Sequence, residues 1–198
     1  MKLMPGRQRH NGVMGSQGSN MLTHRSGWRT VLYWLRDLLL AILIAAVVII
    51  FVYQPVKVEG TSMMPALADQ ERIFVNKFTY RFGFGEIERG DLVVFFFPRD
   101  PDKSYIKRVI GLPGDTVEID RGTVVVNGQP LREDYVPAEY RDYGSMAPKR
   151  VAPDQYFVLG DRRISSNDSR NWGPVPRHAI YGKAVFVYWP LDRLGPVR

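Results

Sequence analysis

The sequence contains no cysteine and only three histidines among its 198 residues. The absence of cysteine excludes disulfides, thiolate nucleophiles and zinc sites built from cysteine. His10 and His24 precede the one long apolar stretch, so a Ser-His-Asp triad would have to use His178. His178 is isolated in the segment Pro176-Arg177-His178-Ala179, where a surface or turn histidine is the simpler interpretation. The sequence also shows no metal-binding or nucleotide-binding motif, so we expect no cofactor.

Acidic residues are missing from positions 1–36, which carry six basic residues. The net charge of the whole chain is +7, so most of the positive excess lies in this segment. A basic segment beside an apolar run is typical of the cytoplasmic flank of a membrane anchor. We therefore prefer this interpretation to a nucleic-acid-binding tail, and we predict a disordered cytoplasmic tail over residues 1–30.

Long hydrophobic runs are also scarce, and residues 38–53 form the only one. Extended back to Val31, the run is long enough to cross the ~30 Å hydrocarbon core of a bilayer. A buried helix of a soluble domain and a cleaved signal peptide fit the same pattern. Bulky residues at 51–53 follow instead of a small-residue cleavage site, which favours an uncleaved anchor over residues 31–53. With the basic flank inside, residues 54–198 would lie on the extracytoplasmic face.

After Val56 the pattern changes to short segments rich in β-branched and aromatic residues, separated by turn residues. These segments predict strands at 71–78, 92–97, 105–110, 116–119, 124–126, 155–159 and 184–189. Asn127-Gly128 predicts a hairpin turn, and the polar residues 132–149 are interpreted as an inserted loop region. We therefore predict a mainly β protein, with one transmembrane helix followed by an antiparallel, β-barrel-like domain.

Ser62 is a candidate nucleophile in the segment Gly60-Thr61-Ser62-Met63-Met64-Pro65, just past the apolar run. With little histidine available, its base has to be another side chain, and Lys107 lies in an apolar strand. The ordinary pKa of lysine is about 10.4. Burial can lower it by several units, which makes the neutral amine available. Taken singly, however, Ser62 also fits an ordinary turn and Lys107 an edge strand.

A third segment, residues 160–173, is dense in small polar and charged side chains and follows an apolar strand. It fits a long solvated loop containing an Asp168–Arg170 pair. It also fits a polar shell that orients a catalytic lysine.

Together these segments resemble the type I signal peptidases, the serine proteases that remove signal peptides from exported proteins. The resemblance covers the anchor and nearly all of the chain after it. It rests on four segments in the family's order, namely residues 62–67, 90–95, 105–115 and 160–173. The four together are far more specific than any one of them.

The resemblance implies that Ser62 is the nucleophile and Lys107 the general base of a Ser/Lys dyad. It also implies that Ser166 helps to position the lysine amine and that the Ser62 backbone N–H contributes to the oxyanion hole. The other implied roles are two supporting ion pairs and shallow pockets for small side chains at the first and third residues before the cut. The residues concerned are Asp168 with Arg170, Asp161 with Arg108, and the pocket residues Met63, Leu67, Tyr105 and Ile106.

Three positions depart from the usual family pattern. Ala66 stands where threonine is usual, and Arg162 stands where asparagine is usual. Gly60 takes a position where some members carry a serine that donates to the oxyanion hole and others carry glycine. The dyad itself is retained.

The implied protein is a membrane-bound serine endopeptidase that acts on signal peptides of exported preproteins. Its partners would be those peptides, membrane lipid and the export translocon, with no nucleic acid. A self-cleaving repressor-type Ser/Lys protease is an alternative, although the anchor argues against it. A non-catalytic tethered β-domain, such as an export adaptor or scaffold, would leave Lys107 exposed. A peptidase specialised for one secretion or pilus substrate would keep the dyad.

Overall fold

The computed structural model describes residues 24–78 and 85–197. Most of the predicted N-terminal tail, residues 1–23, therefore lies outside the described residues. The chain divides into two compact units, Met1–Ala45 and Ala46–Arg198.

A long helix, α1, spans His24–Val52. Its segment Gly27–Val47 has a mean hydropathy of 1.9, and no other helix in the described ranges is long and apolar enough to cross a membrane. The side chains of residues 28–45 are exposed. Arg36 and Asp37, which interrupt the apolar surface, form an ion pair of 2.8 Å with each other. The helix therefore fits a membrane anchor, and it begins earlier than the predicted bound at Val31.

The second unit is mainly antiparallel β-structure in two sheets. Its strands are β1 Tyr53–Lys57, β2 Arg72–Asn76, β3 Leu92–Phe97, β4 Asp100–Gly111, β5 Thr116–Asp120, β6 Thr123–Val126, β7 Gln129–Pro130, β8 Met146–Arg150, β9 Gln155–Leu159, β10 Val175–Pro176, β11 Ile180–Trp189 and β12 Gly195–Pro196. The larger sheet has the order β1-β2-β11-β3-β4-β9-β10, with β12 paired to β11. The smaller sheet has the order β7-β6-β5-β8. A short helix, α2, spans Ser169–Trp172. The predicted mainly β class with an N-terminal apolar helix is thus confirmed.

Two predicted segments differ from the observed strands for identifiable reasons. β4 begins at Asp100 rather than at Tyr105 because its polar first residues continue the antiparallel pairing with β3. β8 lies partly inside the predicted loop region 132–149. Its side chains are mostly exposed, and it pairs with β5 through the main chain. Apolar periodicity carries no signal for such a strand.

The centre of the larger sheet, at residues 92–95 of β3, is buried on both faces, which explains the uninterrupted apolar sequence of this strand. Neighbouring residues of β3 enter different clusters, since successive side chains point to opposite faces. Val94 packs with Met63 and Leu67, whereas Val93 packs with Val158. The first of these clusters contains residues that follow Ser62, so the core of the sheet directly supports that segment.

Gly111 ends β4 at a point of close approach between β4 and the smaller sheet. A Cβ atom added there would lie 2.6 Å from Cγ2 of Val117 and 3.0 Å from Cγ2 of Val151. These branched methyl groups belong to rigid, completely buried side chains. Only a residue without a side chain leaves the two layers in contact.

We predict that Gly111→Ala destabilises the protein by about 1–3 kcal/mol, because it overpacks this contact. Gly144→Ala is the matched control, since an added Cβ there meets nothing within 4 Å. Thermal unfolding of the two variants in detergent measures the difference. Equal melting temperatures for both would show that the layers separate without cost.

Candidate active site

Ser62 lies in a tight turn between β1 and β2. Gly60 has a φ of +94°, a conformation that glycine adopts without steric cost. Its N–H donates to Asp69 Oδ1 at 2.8 Å. The Met64 N–H donates to the Thr61 carbonyl oxygen at 3.2 Å. The loop is therefore held from within, with Ser62 at its bend.

Lys107 lies in β4, opposite Val93 of β3. Only 4% of the residue is exposed. Its Nζ lies 2.7 Å from Ser62 Oγ, to which it donates a hydrogen bond, and 3.1 Å from the carbonyl oxygen of Ile106. The ring of Tyr105 lies 5.5 Å from the same nitrogen. The amine thus has a hydroxyl, a carbonyl and an aromatic face as neighbours, and within the described residues no carboxylate forms an ion pair with it.

Burial lowers the pKa of Lys107 from 10.5 to about 8, although the charges of Asp168 and Asp161 act in the opposite direction. A shift of this size corresponds to roughly 3 kcal/mol of lost stability for the protonated form. At neutral pH about one molecule in ten then carries the neutral amine, against about one in three thousand for a free lysine. The arrangement can therefore supply a base.

Two buried ion pairs lie close to the dyad. Arg108 donates to both oxygens of Asp161, at 2.8 and 2.7 Å, and both side chains are at most 5% exposed. Burial raises the pKa of the Asp161 carboxyl, while the hydrogen bonds from Arg108 lower it. Arg170 likewise donates to both oxygens of Asp168, each at 2.8 Å. The structure thus joins the two pairs that the sequence analysis proposed.

Asp168 organises the polar segment that follows β9. Its side chain caps the N-terminus of α2 by accepting from the Arg170 N–H at 3.2 Å. It also accepts from the Gly160 N–H at 3.1 Å. One buried carboxylate thus satisfies donors at both ends of the segment, which explains why a sequence so polar folds into a closed turn.

Ser166 is packed against the nucleophile segment. A Cβ added to Gly160 would lie 2.6 Å from Ser166 Cβ and 2.6 Å from the carbonyl oxygen of Ser62, so all three backbones approach closely. Ser166 Oγ is buried and has no hydrogen-bond partner among the described residues. A hydrogen bond from Ser166 to Lys107 is therefore not formed here, and the proposed positioning role of this hydroxyl stays a prediction.

A cleft of about 410 Å³ opens beside Ser62 and Lys107. Three predicted pocket residues, Met63, Tyr105 and Ile106, line it. Leu67 is completely buried in the core and is not among the lining residues. Sequence reasoning missed several lining residues: Val56, Val58, Glu59, Val94, Ser104, Ser165 and Asn167. Val56 belongs to β1, and Val58 and Glu59 follow it. β1 begins directly after the apolar run, so the sequence pattern does not distinguish it as a strand.

The predicted loop region 132–149 supports the site through a second set of charges, which are buried or partly buried. Glu133 accepts from Arg163 at 2.9 and 2.6 Å, and Arg163 also donates to the Gly160 carbonyl oxygen at 2.9 Å. Asp142 forms an ion pair with Arg170. No local pattern in the sequence indicates these contacts, because the partners are separated by about thirty residues.

The last residues of the chain also reach the nucleophile loop. Arg193 donates to Glu71 at 2.7 Å and to the carbonyl oxygen of Pro65 at 3.0 Å. Glu71 is 2% exposed and accepts in turn from the Ala68 N–H at 3.0 Å. A residue more than a hundred positions away thus fixes the main chain just after Ser62.

The sequence matches to known proteins identify a serine endopeptidase. The chain belongs to the family described as signal peptidase, peptidase S26, whose sequence model matches residues 31–189. A signal peptidase I from Leptolyngbya laminosa is 40% identical over 165 residues, which cover 79% of this chain and 78% of that protein. Signal peptidase I P from Bacillus subtilis subsp. natto is 38% identical over 173 residues, covering 83% and 92%.

A crystal structure of a signal peptidase I from Enterococcus faecalis V583 also matches. It is 33% identical, and the match covers 50% of this chain and 97% of that one, with a TM-score of 0.45. The family assignment rests on the sequence matches above.

We predict that Asp168→Asn lowers the pKa of Lys107 further. The negative charge of Asp168 raises this pKa, and an uncharged isostere removes that effect. The acidic limb of the activity profile should therefore move to lower pH. Asp134→Asn is the matched control, because its carboxylate is 71% exposed and forms a surface ion pair with Arg132. An unchanged limb in a folded Asp168→Asn protein would contradict the proposed electrostatic coupling.

Proposed function

We propose that this chain is a membrane-bound endopeptidase that removes signal peptides from exported preproteins. Ser62 is the nucleophile and Lys107 is the general base. The observation that carries the proposal is the 2.7 Å contact between Ser62 Oγ and a lysine amine that is almost completely buried. The alternative of a non-catalytic β-domain predicted an exposed Lys107, and the buried position speaks against it.

In the first half of the reaction, neutral Lys107 accepts the hydroxyl proton of Ser62 as Oγ attacks the scissile carbonyl carbon. The carbonyl oxygen becomes an oxyanion and accepts a hydrogen bond from the Ser62 N–H, which has no acceptor among the described residues. The C–N bond then breaks, and the protonated Lys107 gives its proton to the leaving amine. An ester between Ser62 and the signal peptide is left.

In the second half, water replaces the departed amine. Lys107 accepts a proton from this water as its oxygen attacks the ester carbonyl. The C–O bond breaks, and the proton passes from Lys107 to Ser62 Oγ. The enzyme returns to its starting state, and the two products carry a new carboxylate and a new amino group.

The cleft supports binding of an extended peptide with small residues at the first and third positions before the bond. Met63, Tyr105 and Ile106 contribute apolar or aromatic surface to its wall. Met63 is only 2% exposed and also belongs to the apolar core cluster beside the cleft, so this part of the wall is continuous with the core. The sides of the cleft come from β4 and from the segment after β1, which suits an added strand of substrate.

The anchor and the charge of the N-terminal segment support a single-pass orientation with the N-terminus in the cytoplasm. The catalytic unit then lies on the extracytoplasmic face, where signal peptides emerge. Lipid contacts α1, and the export translocon delivers the substrate. Ser62 is the tenth residue after the end of α1.

We expect Ser62→Ala and Lys107→Ala each to lower kcat by roughly 10³-fold or more, because either change removes the dyad. Cleavage of a preprotein by the full chain in detergent micelles is the measurement. Lys103→Ala is a matched lysine control on the same strand, since its side chain is 65% exposed. Ser145→Ala is the serine control, in an exposed segment just before β8. Parental rates in either dyad variant would exclude this mechanism.

We also expect kcat/KM to rise with pH through an apparent pKa of about 8, because only the neutral form of Lys107 accepts a proton. The stability contribution of Lys107 also increases with pH. The folded pKa lies below the unfolded value of 10.5, so the cost of burying this group is complete below pH 8 and disappears as pH rises toward 10.5. A pH–rate profile with matched unfolding curves measures both. An acidic limb near pH 6 would indicate a different base.

A further inference from the structure

Arg162 contacts the nucleophile loop through both its main chain and its side chain. Its backbone N–H donates to the carbonyl oxygen of Ser62 at 3.0 Å. Its Nη1 donates to Thr61 Oγ1, also at 3.0 Å. One residue of the polar segment after β9 therefore holds two consecutive residues of the loop.

The surroundings of the Arg162 guanidinium differ from those of the other arginines near the site. Arg108, Arg163 and Arg170 each bind a carboxylate. In the described ranges Arg162 pairs with none, and its Nε is buried without a hydrogen-bond partner. The guanidinium lies over the ring of Tyr140, with Cζ 5.4 Å from the ring centre. Its orientation is thus set by the aromatic face and the threonine hydroxyl rather than by an ion pair.

The bond to Thr61 has a consequence for the neighbouring peptide. The carbonyl group of Thr61 and the N–H of Ser62 belong to one planar peptide unit. Gly60, which precedes this unit, has no side chain to pack, and an added Cβ would meet nothing within 4 Å. The carbonyl oxygen of this unit accepts from the Met64 N–H within the loop, at 3.2 Å. The Thr61 hydroxyl adds a side-chain contact through which a residue outside the loop can restrain the direction of the Ser62 N–H.

We propose that Arg162 is a positioning residue for the Ser62 backbone N–H and acts through the Thr61 hydroxyl. The inference rests on the proposed function, in which that N–H binds the oxyanion. An oxyanion donor is effective only when it points at the developing charge. A misplacement on the order of 1 Å can cost about 10²-fold in rate. The guanidinium thus restrains a main-chain donor without touching substrate itself.

The test is a double-mutant cycle with Arg162→Gln and Thr61→Val in the full chain. Each single change should lower kcat by about 10- to 100-fold and change KM by less than about threefold, because the lost interaction acts in the transition state. The double variant should be no slower than the slower single variant, since both changes break the same contact. Thr61→Ser keeps the hydroxyl and should retain nearly parental kcat.

Two further measurements separate positioning from general damage. The apparent pKa of the acidic limb should stay at its parental value in all variants, because the changes leave the burial of Lys107 and the Asp161 and Asp168 ion pairs in place. Arg121→Gln, which removes an 85% exposed guanidinium, is the charge-matched control and should leave kcat unchanged. If Arg162→Gln does not fold, the kcat of Thr61→Val alone tests the proposal, because valine has nearly the same shape as threonine.

Several results would overturn the proposal. They are parental kcat in Thr61→Val, additive losses in the double variant, or a shifted acidic limb. None of these outcomes would refute the Ser62–Lys107 mechanism, because Ser62→Ala would still be inactive. Full activity of Ser62→Ala would instead refute the proposed function, so the two failures are distinguishable.

Discussion

The removal of the Lys107 amine from water is the constraint on which the rest of the site depends. A lysine that is 4% exposed would be unfavourable in an ordinary strand. The fold sustains it because residues 107–111 of β4 are buried between β3 and β9, and because the amine meets a hydroxyl and a carbonyl instead of bulk water. The stability lost in this way has to come from the apolar clusters around the larger sheet. The serine gains a base as a direct result.

The buried arginines give the dyad a second kind of support. Asp161 and Asp168 each favour the protonated form of Lys107, which works against the base. Arg108 and Arg170 bind these carboxylates through two hydrogen bonds each and offset their charge. The ion pairs thus hold the polar segment in place and, at the same time, limit its effect on the lysine pKa. A set of unpaired acids in the same place would raise that pKa.

The sequence was informative where chemistry and local pattern coincide. Ser62 and Lys107 stand in distinct segments, and the apolar sequences of β3 and β9 match their strands. It was less informative where contacts join polar residues far apart. The bonds between Glu133 and Arg163 link segments that look like solvated loops when read separately. Leu67, predicted to line the substrate pocket, is completely buried in the same core cluster as Met63, and side-chain direction in such a loop depends on backbone angles that no residue pattern encodes.

The contact of Arg193 with Glu71, Pro65 and Ala66 affects how a mutational scan of this enzyme should be interpreted. Arg193 lies beyond residue 189, where the match to the family ends. A substitution that detaches residues 190–197 from β11 would also release the main chain that follows the attacking serine. Inactive variants in this stretch would therefore report a lost mechanical support rather than a group that takes part in the reaction.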